Sequence, residues 1–172
     1  MAMAGKLKVL PAGEERAGEF AAIVEEAAAW LRQNGQAMWS PEQTRLQRLL
    51  NQYAINEMYI GYVDEEPAAA MALQEADPWM WPDEEPNGNA LYLHKLSVRR
   101  TRAKSGCSAA MIGWAKEEAS RRGKMYLRLD CAADRPKLCA FYERYGFRKV
   151  RERLIRDIYL TALYEWRAET ST

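Results

Sequence analysis

Apolar residues recur at spacings of three and four along Glu14–Gln33, and alanine and glutamate fill most of the positions between them. This period predicts an amphipathic helix, preceded by a short strand at Lys6–Leu10. Ser40–Pro41 is typical of a helix start, because serine is a favoured N-cap and proline suits the first helical position. A second helix is therefore expected from that point. Its buried side would be formed by Leu46, Leu49 and Leu50.

Two apolar stretches, Met58–Val63 and Ala68–Gln74, flank the acidic turn Asp64–Pro67 and predict a β-hairpin. The next segment, Asp77–Asn89, is rich in proline and acidic residues, so we expect a loop. The run Trp79–Trp81 is unusual there, because large apolar side chains in contact with water often belong to a binding surface.

A β-α-β unit is predicted in the second half of the chain, with a strand at Ala90–Val98, a helix at Ser105–Arg122 and an alternating strand at Met125–Cys131. The remaining elements are a helix at Lys137–Tyr145 and strands at Phe147–Arg153 and Ile158–Trp166. This order predicts an α/β (α+β) fold with a mostly antiparallel sheet and one parallel crossover. We expect a single domain over residues 1–172.

Charge and composition argue against several functions. The 172-residue chain carries 25 Lys and Arg against 24 Asp and Glu, which gives no reason to expect nucleic acid or an anionic membrane as a partner. No apolar stretch reaches the roughly 20 residues of a membrane span, and the N-terminus lacks the features of a secretory signal. A cytoplasmic protein is therefore expected.

The three cysteines, Cys107, Cys131 and Cys139, are odd in number and lack paired spacing. This argues against both a disulfide framework and a zinc site. We expect reduced thiols, two or three of them buried, and no bound metal.

Four cations, Arg99, Arg100, Arg102 and Lys104, lie between the end of a strand and the start of a helix. The first N–H groups of a helix lack internal partners and attract anions, so this segment is a candidate phosphate site. The alternative is a solvated loop followed by a serine N-cap. Named nucleotide motifs do not decide between the two, because the glycine in this loop stands alone.

The segment from residue 91 to residue 150 resembles the GCN5-related N-acetyltransferase (GNAT) superfamily. The resemblance rests on the strand end Leu96–Val98, the loop that begins at Arg102 and the motif Phe141–Phe147, which reads FYERYGF. It implies a mixed, mostly antiparallel sheet of six to seven strands flanked by about four helices. It also implies acetyl-CoA (coenzyme A) as co-substrate.

The resemblance also implies a set of donor-binding residues. They are Leu96, Ser97, Val98, Arg102, Ala103, Lys104, Ser105, Gly106, Cys107 and Ser108, with Arg135 and Tyr142 from later in the chain. The chain departs from the family at Ser105 and Cys107, where glycine or alanine is usual, and at Arg135, where many members carry asparagine. We expect the amides of Ser105 and Cys107 to face the pyrophosphate, with the Ser105 hydroxyl as a further donor and the Cys107 side chain turned into the helix packing.

Tyr142 matches the family residue that protonates the departing thiolate, and a tyrosine with a pKa of ~10 suits a thiol with a pKa of ~8.5. The alternative is an aromatic that packs beside Phe141. His94, the only histidine, titrates in the range that a general base needs, although it could equally be a structural residue. Glu75 and Asp77 are competing carboxylate bases.

The acceptor pocket of the family would fall at Trp39, Glu75, Asp77, Trp79 and Trp81. Aromatic and acidic side chains together suit a cationic amine with an apolar body. Alternatively, the tryptophans cap the core or form the surface of a homodimer. The expected reaction is acetyl transfer to the primary amine of a small molecule. The other hypotheses are a protein N-terminal or lysine acetyltransferase, a weakly catalytic acyl-CoA-binding module, and a nucleic-acid binder.

Overall fold

The computed structural model of the chain describes residues 5–82 and 88–169. Its strands are β1 (Leu7–Pro11), β2 (Met58–Val63), β3 (Glu66–Gln74), β4 (Ala90–Val98), β5 (Tyr126–Ala132), β6 (Arg148–Ile155) and β7 (Tyr159–Arg167). Its α-helices are α1 (Gly13–Gln33), α2 (Leu46–Gln52), α3 (Cys107–Arg121) and α4 (Pro136–Arg144). The strands form one mixed sheet in the order β1-β2-β3-β4-β5-β7-β6. This confirms the predicted fold class and element order.

The described residues divide into two compact units, and the first consists of residues up to 73 together with residues 95–114. In this unit β2 pairs with β1 and β3 in antiparallel register. The apolar face of α1 packs on this sheet through Phe20 and Val24, and α2 contributes Leu49, all three fully buried. The helical period of Glu14–Gln33 therefore marks a true core face.

The second unit consists of residues 74–94 and 115 onwards. Here the first residues of β4 pair in parallel with the first residues of β5, and β7 pairs in antiparallel register with both β5 and β6. A core cluster on this sheet contains Met80, Trp81, Ala90, Tyr92 and Leu163. The predicted parallel crossover is confirmed, since α3 connects β4 to β5.

The second helix begins at Leu46, so the predicted start at Ser40–Pro41 is wrong. The hydroxyl of Ser40 accepts from Gln43 N at 3.2 Å, and Ser40 N donates to Gln43 Oε1 at 2.8 Å. The Thr44 hydroxyl donates to Glu25, and Arg45 has extended backbone (ψ 143°), so the helix starts only after Arg45. As a result Leu46 is 39% exposed, although a buried position was predicted.

In the β2–β3 hairpin the connection is shorter than predicted. Asp64 and Glu65 both have positive φ, which is the geometry of a two-residue turn that matches the strand twist, and β3 therefore starts at Glu66.

Within residues 5–82 and 88–169, none of the helices combines the length and the hydropathy that crossing a bilayer requires.

Candidate functional site

The loop before α3 has left-handed backbone at Lys104 (φ 60°) and Gly106 (φ 85°). The left-handed positions are therefore the neighbours of Ser105 and Cys107, which explains how the loop turns without glycine at either position. The side chain of Cys107 is buried, as predicted. The Ser105 hydroxyl donates to the carbonyl oxygen of Arg102 in this structure, so its proton is used inside the loop.

Two cationic side chains of this loop, Arg99 and Arg102, have acidic neighbours. Arg99 Nε lies 3.6 Å from Glu26 Oε2, and the same carboxylate oxygen accepts from Arg100 N at 2.9 Å. The side chain of Arg102 is 21% exposed and lies 3.9 Å from Glu66. The side-chain charge of the loop is thus partly compensated.

In β4, Lys95 has a φ of 56° within the strand, which interrupts the regular pleat. After it, Ser97 is buried and donates to Lys95 O at 3.0 Å, while Leu96 and Val98 are half-buried. The Lys95 ammonium lies 5.0 Å from the ring centroid of Trp39. Trp39 therefore already contacts a cation of its own unit.

In the second unit, His94 Nε2 lies 3.6 Å from Asp77 Oδ2, and an oxygen of Asp130 completes a group whose atoms lie within 4.8 Å of one another. Asp77 is held by Met80 N, which donates to Oδ1 at 3.3 Å. Burial raises the pKa of Asp77, and the Met80 N–H and the charge of Arg153 oppose this rise.

Glu75, the other candidate base, is 60% exposed and lies 3.3 Å from the ammonium of Lys124. Its carboxylate therefore faces the cations that follow α3. Of the two carboxylates that the sequence offered, the structure brings Asp77 to His94.

The tryptophans of the Asp77–Pro82 segment have different environments. Trp81 is 2% exposed and meets Tyr92 edge-on at 6.0 Å, with Arg128 5.1 Å from its ring. It belongs to a core cluster, as the core alternative for the tryptophans described. Trp79 is 61% exposed, and its carbonyl oxygen accepts from Arg153 Nη1 at 2.9 Å. Asp83, Glu84 and Glu85, the acidic residues that follow in the same loop, lie outside the described residues.

Tyr142 lies in α4 within an aromatic cluster. Its ring meets Phe141 edge-on at 5.4 Å and Phe147 at 5.8 Å, and the centroid of Tyr164 is 6.3 Å away. Burial raises the pKa of the Tyr142 hydroxyl. Tyr142 therefore packs beside Phe141, as expected of a structural aromatic residue. Its raised pKa also keeps the hydroxyl protonated at neutral pH.

Arg135 is the N-cap residue of α4, and its carbonyl oxygen accepts from Cys139 N at 3.0 Å. The position is half-buried in the second unit. The backbone of Arg135 therefore starts the helix that carries Tyr142.

Sequence reasoning missed Asp130 and Arg128. Both lie in β5 and alternate with Leu127, Leu129 and Cys131, so two successive positions on one face of this strand are charged. That alternation predicts one face turned towards polar partners and could have indicated them.

Residues 22–147 match the family model described as Acetyltransferase (GNAT) family. The chain therefore belongs to the GNAT acetyltransferase family and is an enzyme of the N-acetyltransferase class. This confirms the resemblance found in residues 91–150.

One relative by sequence is the uncharacterized N-acetyltransferase YesJ of Bacillus subtilis (strain 168), which is 31% identical over 80% of this chain and 79% of its own length. Among solved structures, a GNAT-family acetyltransferase from Listeria monocytogenes superposes with a TM-score of 0.79 at 21% identity, covering 98% of both chains. The PaiA N-acetyltransferase of Thermoplasma acidophilum, solved with coenzyme A, has a TM-score of 0.69 at 13% identity and covers 95% of this chain and 99% of its own.

Proposed function

We propose that this enzyme transfers an acetyl group from acetyl-CoA to the primary amine of a small molecule. The observation that carries the proposal is the start of α3: a GNAT-family chain presents helix N-terminal amides behind a loop whose left-handed positions fall at Lys104 and Gly106. Coenzyme A in the related PaiA structure supports acetyl-CoA as the co-substrate.

Acetyl-CoA would bind mainly through backbone N–H groups of the loop before α3. The amides of Ser105, Cys107 and Ser108 would face the pyrophosphate, and Lys104, which is exposed, would add a positive charge. Leu96 and Val98 of β4 would bind the pantetheine arm, as the matching residues do in the family. A backbone N–H of β4 would stabilise the oxyanion.

The reaction would proceed by direct attack. The amine nitrogen attacks the thioester carbonyl carbon, the resulting ammonium loses its proton to His94, and the C–S bond breaks as the intermediate collapses. The thiolate then takes a proton from Tyr142. Asp77, at 3.6 Å from His94, would stabilise the imidazolium that forms.

A small cationic acceptor is supported by side chains of the second unit. Asp77 supplies negative charge, and the exposed ring of Trp79 supplies apolar and π surface on the same short segment. Glu75 and Trp39 already have cationic partners, and Trp81 is in the core. Acceptor recognition is therefore assigned to Asp77 and Trp79.

The test is release of free thiol from acetyl-CoA over a panel of primary amines, with mass spectrometry of the acetylated product. Turnover that requires an amine, and that falls in Trp79→Ala through a higher KM for the amine, supports the proposal. Tight CoA binding without turnover on any amine would make the protein an acyl-CoA-binding module. Turnover restricted to peptide N-termini or lysine side chains would make it a protein acetyltransferase.

A further inference from the structure

Three potential metal ligands meet on one face of the sheet in the second unit. In the parallel β4–β5 pair, Tyr92 lies opposite Arg128. Since side chains alternate along a strand, His94 and Asp130, each two residues further on, share one face. Asp77 reaches the same place from the segment after β3, and one ligand atom from each of the three lies within 4.8 Å of the others.

We propose that Asp77, His94 and Asp130 bind a divalent transition-metal ion of the Zn²⁺ type. The set combines one imidazole nitrogen with two carboxylates, which are ordinary zinc ligands, whereas Ca²⁺ and Mg²⁺ prefer oxygen alone. Three protein ligands also leave a coordination position open for water.

The spacing supports an ion more than a direct hydrogen bond. The Nε2–Oδ2 separation of His94 and Asp77 is 3.6 Å, which exceeds the range of a hydrogen bond. With metal–ligand bonds of about 2.1 Å, adjacent ligands of a tetrahedral or octahedral ion lie about 3.0 to 3.4 Å apart. Small side-chain adjustments would therefore bring these three groups onto one ion.

Burial and charge support the same conclusion. The side chains of Asp77 and His94 are 13% and 15% exposed and Asp130 is half-buried, so the attraction of these groups for a cation is screened less than at the open surface. Arg153 is the cation whose charge acts on Asp77, but its Nη1 donates to the carbonyl oxygens of Trp79 and Met80. A divalent ion would neutralise both carboxylates at once.

The Asp77 ligand is already held in place. Met80 N donates to its Oδ1, and Trp81 N donates to its carbonyl oxygen at 2.9 Å. Such outer contacts orient the Asp77 side chain and reduce the conformational freedom that it loses when it binds an ion. An ion at this site would occupy His94 Nε2, so it should inhibit acetyl transfer. The expected inhibition rests on the proposed function, whereas the metal site does not.

The test is Zn²⁺ titration of the full chain, stripped with chelator, by isothermal calorimetry. We expect about one ion per chain, and an affinity at least about tenfold lower in Asp130→Asn and His94→Gln. Asp134→Asn, an exposed aspartate four residues later, is the matched control and should bind like the wild type. No binding, or equal binding by Asp130→Asn, would overturn the proposal.

A second measurement tests whether the buried thiols bind the metal instead. Its spectrum is recorded on the wild type, so it does not depend on variants that fold poorly. Co²⁺ bound by nitrogen and oxygen should give no thiolate charge-transfer band in the wild type, and Cys139→Ser should bind Zn²⁺ unchanged. A thiolate band, or loss of binding in Cys139→Ser, would move the metal to the cysteines and refute the site. An enzyme that is inactive but binds Zn²⁺ refutes the proposed function alone, whereas an active enzyme that does not bind Zn²⁺ refutes the metal site alone.

Discussion

Arg128 Nε donates to Glu165 Oε2 across 2.8 Å, and both side chains are almost completely buried. Burial by itself lowers the pKa of Arg128, but hydrogen bonds to Glu165 and Tyr92 raise it overall, so the guanidinium stays charged. The guanidinium carbon of Arg128 lies 5.1 Å from the centroid of the Trp81 ring. This contact holds the segment that carries both Trp81 and Asp77. This ion pair links the sheet of the second unit to the candidate site.

Removal of Arg128 should therefore be costly. Arg128→Met removes the buried partner of Glu165 and leaves this buried carboxylate to the exposed Arg148, so we expect a loss of about 3–5 kcal/mol in the free energy of unfolding, measured with urea. Arg148→Met is the matched control, because Arg148 lies 3.7 Å from the same carboxylate but is 78% exposed. It should cost no more than about 1 kcal/mol. Equal losses would refute a special role for the buried pair.

Loss of the Tyr142 hydroxyl should slow catalysis. If Tyr142 protonates the thiolate, Tyr142→Phe should lower kcat by about 10²-fold or more, with KM for acetyl-CoA little changed. Tyr145→Phe is the control, since Tyr145 is also half-buried and lies in the same aromatic cluster, 5.0 Å from Phe141. An unchanged kcat in Tyr142→Phe would remove it from the mechanism.

Tyr142 should also make stability depend on alkaline pH. Burial raises its pKa in the folded state, whereas the unfolded residue ionises near 10. Between pH 10 and 11 the unfolded chain therefore loses a proton that the folded chain keeps, and stability falls with pH. For this one group we expect about 1 kcal/mol, seen as a larger fall in the unfolding free energy of the wild type than of Tyr142→Phe. Parallel curves would contradict the buried position of the hydroxyl.

Gly61 should be hard to replace. An alanine Cβ there would lie 2.6 Å from Met111 Sδ and 2.9 Å from Leu7 Cδ1, so both side chains would have to move. We expect Gly61→Ala to cost about 1–3 kcal/mol in urea unfolding. Gly18→Ala, in α1 with nothing within 4 Å of the new Cβ, should be neutral or stabilising by up to about 1 kcal/mol. A harmless Gly61→Ala would show that β2 and α3 pack more loosely here.

Much of the fold was predictable, because its signals are local. The period of three and four in Glu14–Gln33 depends only on which residues face one side of a helix, and the structure confirms it as α1. The β-α-β segment and the motif Phe141–Phe147 were enough to predict the GNAT family, which the family match confirms. Burial of Cys107 followed from its position in the apolar stripe of α3.

The start of the second helix was not predictable in this way. Ser40–Pro41 is a sound local start signal, but Thr44 bonds to Glu25, a residue of α1 distant in sequence. Local propensity is a weak preference of well under about 1 kcal/mol per residue, so one tertiary hydrogen bond can outweigh it.

The sequence by itself determined the element types, the family and the loop before α3, since each depends on residues close together in the chain. Only the tertiary structure decided that His94 meets Asp77 and Asp130, and that Trp81 is in the core while Trp79 is exposed. The physical reason is strand pairing: the parallel register of β4 and β5 brings together side chains that are far apart in sequence, and no local pattern records that register.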